Sequence, residues 1–204
     1  TQLAQPPPVL FMWHGYGGNA TQSMGAVEPD SYWQDSVVVA PIGLPRSFGR
    51  SSRPGWQIRA GEMDDRDLAF FDAMLAELAQ TGCVDNTRGY TTGFSNGGFF
   101  SNLLACGRGD VLAAAAPVSG GGPSEGTCGA AIPIMITHGT LDLHVFYNTG
   151  WRSYEHWRDH NGCTQAPEPS RRGCFRATCA DAPVQLCSWT GGHWWSRVQS
   201  ARTA

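Results

Sequence analysis

The segment GFSNG at positions 93–97 is the feature that most constrains the fold of this chain. It lies between the apolar residues 89–94 and residues 96–106, whose pattern favours a helix. The G-x-S-x-G pattern is typical of a tight turn from a strand into a helix that leaves the serine hydroxyl exposed. Because such a turn brings backbone segments close together, small residues must flank Ser95. The surrounding glycines meet this requirement.

Short apolar runs elsewhere predict buried strands, and these strands alternate with helical patterns. This alternation indicates an α/β fold with a mostly parallel central sheet and helices on both faces, and we expect 1–204 to form a single domain. Residues 44–61 are expected to form a long surface loop, and residues 163–182 an excursion held by disulfides. The predicted strands are 9–13, 37–40, 89–94, 113–118, 132–137 and 184–189, and the predicted helices are 64–81, 96–106 and 154–160.

Charge and composition exclude several classes of function. The chain has 204 residues and a net charge of −3, which predicts no basic face and makes nucleic acid or an anionic membrane an unexpected partner. All fourteen basic residues are arginines, which excludes a Schiff-base lysine, a P-loop lysine and a Ser-Lys dyad. No cofactor is expected. The composition leaves the oligomeric state open.

Seven cysteines without a C-x-x-C pair favour disulfides over a zinc site, so no metal is expected. Disulfides indicate an oxidising compartment, and we expect the protein to be secreted, with the bacterial periplasm as an alternative. The sequence contains no run of 18 apolar residues, so it predicts no membrane-spanning helix. Residues 1–8 lack the features of a signal peptide, so a secreted protein would be a mature or trimmed form.

A serine hydroxyl needs a base to act as a nucleophile, and that base needs an acid to orient it. Asp142 follows the predicted strand 132–137, and His193 follows the predicted strand 184–189. The chain order Ser95, Asp142, His193 is the order found in α/β-hydrolases. Asp110, Asp159 and Asp181 fit the position of the acid less well.

The other histidines are weaker candidates for the base. His14 and His138 each precede a glycine at a strand end, where a histidine more often orients a turn. His144 remains a minor alternative. His156 and His160 could share a helix face, but no third metal ligand accompanies them.

Acyl transfer also needs backbone N–H donors for the oxyanion. Asn96, the residue after the serine, is the expected first donor. The second is expected from Tyr16 or Gly17, in the glycine-rich loop that follows the first strand.

Five motifs in this order resemble those of the polyhydroxybutyrate-depolymerase-like esterases, which include feruloyl and acetylxylan esterases. The resemblance runs from about residue 9 to residue 195 and implies an α/β-hydrolase fold, with Ser95 as nucleophile, Asp142 as acid and His193 as base. The motifs are HGYGG at 14–18, GFSNGG at 93–98, APVSG at 116–120, HGTLD at 138–142 and GGHWW at 191–195.

The same resemblance implies one disulfide, because the family pairs the cysteine of its Asn-Gly-Cys segment with a cysteine shortly before the histidine. In this chain that pair is Cys163–Cys187. We further expect Cys174–Cys179 as a neighbouring pair, and Cys83–Cys106 below the sheet. Cys128 competes for Cys106.

Three departures from the family stand out. Phe146 occupies a position where the family usually has proline. We expect the leading hairpin and the closing helix of the family to lack counterparts here, so the chain is either a compact member or a fragment with an exposed sheet flank.

The resemblance implies an ester substrate: a polyhydroxyalkanoate-type polyester or oligoester as the first interpretation, and a feruloylated or acetylated plant polysaccharide as the alternative. Trp56, Trp194 and Trp195 are the candidates for lining the acyl pocket. Two other classes remain open: a non-catalytic binding protein on a hydrolase scaffold, and a thiol enzyme that uses one of the cysteines.

Overall fold

The structure is a computed structural model that describes residues 5–27, 34–124, 127–170 and 173–195. Helices and strands alternate along most of this length. The strands are β1 (Val9–Trp13), β2 (Val37–Val39), β3 (Pro45–Phe48), β4 (Ser51–Pro54), β5 (Gly89–Phe94), β6 (Ala114–Val118), β7 (Ile134–Gly139), β8 (Glu168–Ser170), β9 (Cys174–Ala177) and β10 (Val184–Trp189). The helices are α1 (Ala20–Val27), α2 (Arg66–Thr81), α3 (Asn96–Gly107) and α4 (Tyr147–His160), and a 3-10 turn covers Glu62–Asp65.

Eight of the strands form one sheet in the order β2-β1-β5-β6-β7-β10-β9-β8. Every pairing from β2 to β10 is parallel, and only β9 and β8 add antiparallel strands at one edge. The expected mostly parallel α/β sheet is therefore confirmed. Because the carboxyl ends of parallel strands meet at one edge, the loops after β1, β5, β7 and β10 lie close together.

Side chains of β1 alternate between the two faces of the sheet, and each face is covered by helices. Phe11 packs edge-on against Phe71 of α2, and Trp13 packs edge-on against Phe100 of α3. Met12 points to the opposite face, where it is fully buried in a cluster that includes Met24 of α1. Helices on both faces were predicted, and α1 itself was not.

Helix α2 begins two residues later than predicted, because Met63, Asp64 and Asp65 have φ values of 54°, 55° and 53°. Left-handed backbone cannot form the first turn of a right-handed helix. The Asp65 carboxylate accepts hydrogen bonds from the Gly61 N–H and the Gln57 amide, which hold this turn.

Residues 44–61 are not a simple loop, because they contain the hairpin β3–β4. Helix α4 starts seven residues before the predicted 154, and residues 163–182 contain the two antiparallel strands β8 and β9. In the part of the chain that the structure describes, no helix is both long and apolar enough to cross a bilayer.

The three expected disulfide pairings are wrong, whereas the alternative that pairs Cys128 with Cys106 is confirmed. The structure has Cys106–Cys128, Cys163–Cys179 and Cys174–Cys187, and it leaves the exposed Cys83 as a free thiol. Register explains the difference. Strands β9 and β10 are antiparallel and place Cys174 directly opposite Cys187, while Cys179, beyond the end of β9, lies opposite Cys163.

Candidate active site

Ser95 lies in the turn between β5 and α3, with φ 54° and ψ −117°. A non-glycine residue in this region carries about 1–3 kcal/mol of backbone strain, which the surroundings must hold in place. The Ser95 N–H donates to the Val118 carbonyl at 2.9 Å. A Cβ atom at Gly93 would lie 2.5 Å from the Gly97 carbonyl carbon and 2.9 Å from the Trp13 Cβ, so the turn closes only over glycine.

Ser95, His193 and Asp142 form one hydrogen-bonded chain. The Ser95 hydroxyl donates to His193 Nε2 at 2.9 Å, and His193 Nδ1–H donates to Asp142 Oδ2 at 2.6 Å. Asp142 follows β7 and His193 follows β10, which are neighbouring parallel strands. The residues that the sequence predicts as a triad are thus brought together, in the order and orientation of a serine nucleophile, a base and an acid.

The buried carboxylate of Asp142 is held at both oxygens. Its Oδ1 accepts the backbone N–H groups of His144 and Val145, both at 2.9 Å, and its Oδ2 accepts from His193. Burial alone would raise the pKa of Asp142. The hydrogen bonds from His193, Val145 and His144 outweigh that effect, and the pKa lies below its usual range. The carboxyl group is therefore ionised wherever His193 can act as a base.

His14 and His138 hold loops rather than compete for the serine. His14 Nδ1–H donates to the Gly15 carbonyl at 2.7 Å, and His14 Nε2 accepts from the Gly43 N–H at 2.9 Å. His138 Nε2–H donates to the Val145 carbonyl at 2.8 Å. Burial lowers the pKa of both rings, although their backbone hydrogen bonds partly oppose that shift.

The loop after β1 lies directly against the serine: a Cβ atom at Gly15 would be 3.4 Å from the Ser95 Cβ. Of the two donors expected from this loop, Gly17 is excluded, because its N–H donates to the Pro54 carbonyl at 2.7 Å. The N–H of Tyr16 has no acceptor among the described residues, and neither has the N–H of Asn96 at the start of α3.

Asn96 has a second role that the sequence did not reveal. Its side-chain oxygen accepts from the Trp56 N–H at 2.7 Å, and its side-chain nitrogen donates to the Trp56 carbonyl at 2.9 Å. The Trp56 indole N–H in turn donates to the His14 carbonyl at 3.1 Å. Trp56 therefore connects the first residue of α3 to the loop after β1. Only the three-dimensional contact reveals this clamp, since its members lie 40 residues or more apart in the chain.

Two open clefts meet at His193 and Tyr16. The first, of about 430 Å³, reaches Ser95 and Asn96 and is lined largely by apolar side chains from the hairpin, α3 and the Asp142 loop. The second, of about 440 Å³, lies on the other side and includes Gly17, Phe94, Trp194 and Trp195. Ser95 thus faces the first cleft, while the second cleft borders its hydrogen-bond partner His193.

No model of a known protein family matches the chain. Its sequence is 32% identical over 203 residues to a probable feruloyl esterase C of Aspergillus niger, an alignment that covers 92% of this chain and 70% of the relative. This chain belongs to the feruloyl esterase family.

Two further comparisons concern the family and the fold. Feruloyl esterase B of Piromyces equi is 29% identical over 212 residues, and the alignment covers 91% of this chain but 39% of that longer protein. The crystal structure of a Bacillus cereus carboxylesterase superposes with a TM-score of 0.70 over 96% of this chain and 85% of that one. Its identity of 20% supports the α/β-hydrolase fold alone.

The three tryptophans that were expected to line the acyl pocket of this esterase family member lie in different environments. Trp56 is wrong as a pocket residue, because its side chain is only 1% exposed and stacks on Phe100 in the core. Trp194 is 52% exposed and lines the second cleft beside His193. Trp195 is half-buried and stacks with Phe94. A role for Trp194 and Trp195 in substrate binding stays a prediction.

The cysteines of this family member offer little to a thiol mechanism. Six of the seven are joined in disulfides, and the remaining Cys83 lies exposed in the segment between α2 and β5. Neither arrangement supplies a thiolate beside a histidine base.

Proposed function

We propose that this protein is a secreted serine esterase that releases feruloyl-type acyl groups from plant polysaccharide. The observation that carries the proposal is the Ser95–His193–Asp142 chain at the mouth of an apolar cleft. The names of the curated relatives, all feruloyl esterases, favour this substrate over the polyester that the sequence first indicated.

The reaction follows from the geometry of these side chains. His193 Nε2 takes the proton from the Ser95 hydroxyl as Ser95 Oγ attacks the ester carbonyl. Asp142 keeps the Nδ1–H tautomer of His193 and stabilises the imidazolium that forms. The imidazolium then protonates the departing alcohol and leaves an acyl group on Ser95 Oγ. A water molecule, deprotonated by the same His193, hydrolyses this acyl-enzyme and restores the serine.

The negative charge on the tetrahedral intermediate needs donors that are already in place. The backbone N–H groups of Asn96 and Tyr16 are our candidates, since both flank Ser95 and neither is used elsewhere among the described residues. Each such donor typically contributes about 10²–10³ in rate. The Trp56 clamp on Asn96 acts as a positioning contact, because it resists a shift of the first turn of α3.

The first cleft suits an aromatic acyl group. Tyr16, Phe48, Ile58, Phe99 and Val145 give it apolar and aromatic walls around Ser95. A flat hydroxycinnamoyl ring gains both area burial and ring–ring contact in such a space, whereas an acetyl group would leave most of it to water.

The proposal of secretion rests on the three disulfides. The reducing conditions of a cytosol would keep these six cysteines as free thiols, whereas an oxidising extracellular environment lets the disulfides form and persist.

A polyester substrate is the second candidate, and exposed apolar side chains beside the site favour it. Leu143 and Phe146, on the loop that carries Asp142, are 80% and 62% exposed. Such side chains could lie on the surface of an apolar polymer.

Hydrolysis assays with three substrates test the proposal: methyl ferulate, p-nitrophenyl acetate and a suspension of polyhydroxybutyrate. We expect the highest kcat/KM on methyl ferulate and a loss of about 10⁴-fold or more in Ser95→Ala. Ser124→Ala, an exposed serine elsewhere on the surface, is the matched control. Wild-type activity in Ser95→Ala would refute the mechanism, and release of soluble products from the polyester alone would select the second candidate.

A further inference from the structure

The hairpin β3–β4 lies in an arginine-rich segment of a chain whose net charge is −3. Residues 36–61 contain four arginines and no acidic residue. Three of the arginines, Arg46, Arg50 and Arg53, belong to the ten-residue hairpin segment 45–54. The net charge alone does not reveal this local concentration.

The hairpin lies at the edge of the active site. Arg46 and Phe48 line the first cleft together with Ser95. The Tyr16 hydroxyl donates to the Ser51 carbonyl at 2.9 Å, which ties the hairpin to the loop beside Ser95. The aliphatic part of Arg53 packs on Gly17 of the same loop: its Cδ lies 3.0 Å from the position that a Gly17 Cβ would occupy.

The three arginines differ in how their charge is balanced. Arg46 donates to Glu62 at 2.7 Å and to the Trp56 carbonyl, and its side chain is largely buried. Arg50 at the tip and Arg53 on β4 are exposed, and neither has an ion-pair partner among the described residues. Arg53 is thus left to solvent beside Gly17 of the loop after β1, and Arg50 is left to solvent at the tip of the same hairpin.

Glu62 compensates the charge of Arg46, so of the cross-strand partners Arg46 and Arg53 only Arg53 lacks a counter-ion among the described residues. Planar guanidinium groups match the geometry of carboxylates.

We propose that the polysaccharide half of the substrate bears carboxylates, as uronic acid units, and that Arg50 and Arg53 bind them. This inference rests on the proposed esterase function and adds the class of alcohol to it. The acyl group occupies the first cleft, and the sugar chain runs over Gly17 into the second cleft, where the exposed Trp194 offers a surface for a sugar ring. Arg53, which packs on Gly17, then lies beside the path of the chain, and Arg50 follows at the tip of the same hairpin.

The test uses one feruloylated pectic polysaccharide in two forms, native and with its uronic acid carboxyl groups chemically reduced to alcohols. The readout is the ratio of kcat/KM on the native form to kcat/KM on the reduced form. We expect a wild-type ratio of about tenfold at low salt, because each exposed charge pair contributes up to about fivefold. The ratio should fall towards one at high salt, because ions screen exposed charges.

Arg50→Gln/Arg53→Gln should abolish this preference, with a ratio close to one at every salt concentration. Arg152→Gln/Arg176→Gln is the matched control, since both of these arginines are exposed and lie on α4 and β9. It should keep the wild-type ratio. A wild-type ratio of one, or an unchanged ratio in the hairpin variant, would overturn the inference while the esterase function stands.

A binding measurement separates the two proposals. Retardation of Ser95→Ala in gels that contain polygalacturonate, compared with the reduced polymer, reports on the arginines without ester cleavage. If wild type cleaves neither form of the substrate but polygalacturonate retards Ser95→Ala, the esterase function fails and the anion site remains. If polygalacturonate does not retard Ser95→Ala, the anion site fails as well.

Discussion

Gly97→Ala is the sharpest test of how the turn between β5 and α3 positions the residues of the site. A Cβ atom at this position would overlap the Trp13 carbonyl oxygen and would lie 2.6 Å from the Trp13 carbonyl carbon and 2.7 Å from the His14 oxygen. Real Cβ atoms keep at least 3.0 Å from such neighbours. All of these contacts are backbone atoms at the end of β1, so no flexible side chain can move aside.

The start of α3 must therefore move away from β1 by several tenths of an ångström to about 1 Å. That movement shifts the Asn96 N–H relative to Ser95, and a displacement of this size can cost about 10²-fold in kcat. We also expect a loss of about 3 kcal/mol in the free energy of unfolding, because the overlap lies inside a packed core.

Gly107→Ala provides the matched control at the other end of the same helix. A Cβ atom there would meet nothing within 4 Å, so this variant should be neutral or more stable by about 0.4–1 kcal/mol. Urea denaturation and kcat on methyl ferulate measure both effects. If Gly97→Ala kept wild-type stability and kcat, the close approach of α3 to β1 would not position the site.

Two further predictions concern pH and the free thiol. The pKa of His14 and that of His138 are lowered in the folded protein, so below about pH 6.5 the unfolded chain binds protons that the folded protein does not. The free energy of unfolding should therefore fall as the pH drops from 7 to 5, and urea midpoints that stay constant over this range would contradict the burial of these rings. Iodoacetamide should modify one thiol, Cys83, in the folded protein and leave ester hydrolysis unchanged. Loss of activity in proportion to labelling would revive a thiol mechanism.

Local patterns in the sequence were sufficient to predict the frame of the fold and the three side chains that meet at the candidate site. Apolar runs predicted the six central strands because burial on both faces of a parallel sheet demands such runs. The turn around Ser95 was recognisable in the sequence because only glycine tolerates the close approach of α3 to β1. The order of Ser95, Asp142 and His193 was informative because each follows a strand of a parallel sheet, whose carboxyl ends meet at one edge.

Tertiary structure decided everything that depends on which distant segments lie opposite each other. Cys174 pairs with Cys187 because antiparallel register sets them face to face, and sequence spacing does not encode register. Trp56 is a buried clamp rather than a pocket wall because the side chain of Asn96, 40 residues away, hydrogen-bonds to its backbone. The Gly17 N–H donates to the Pro54 carbonyl, and so is not available as an oxyanion donor, because the hairpin β3–β4 folds onto the same loop. The same packing sets Arg53 beside the site. These contacts are non-local, and their energies arise only once the sheet has formed.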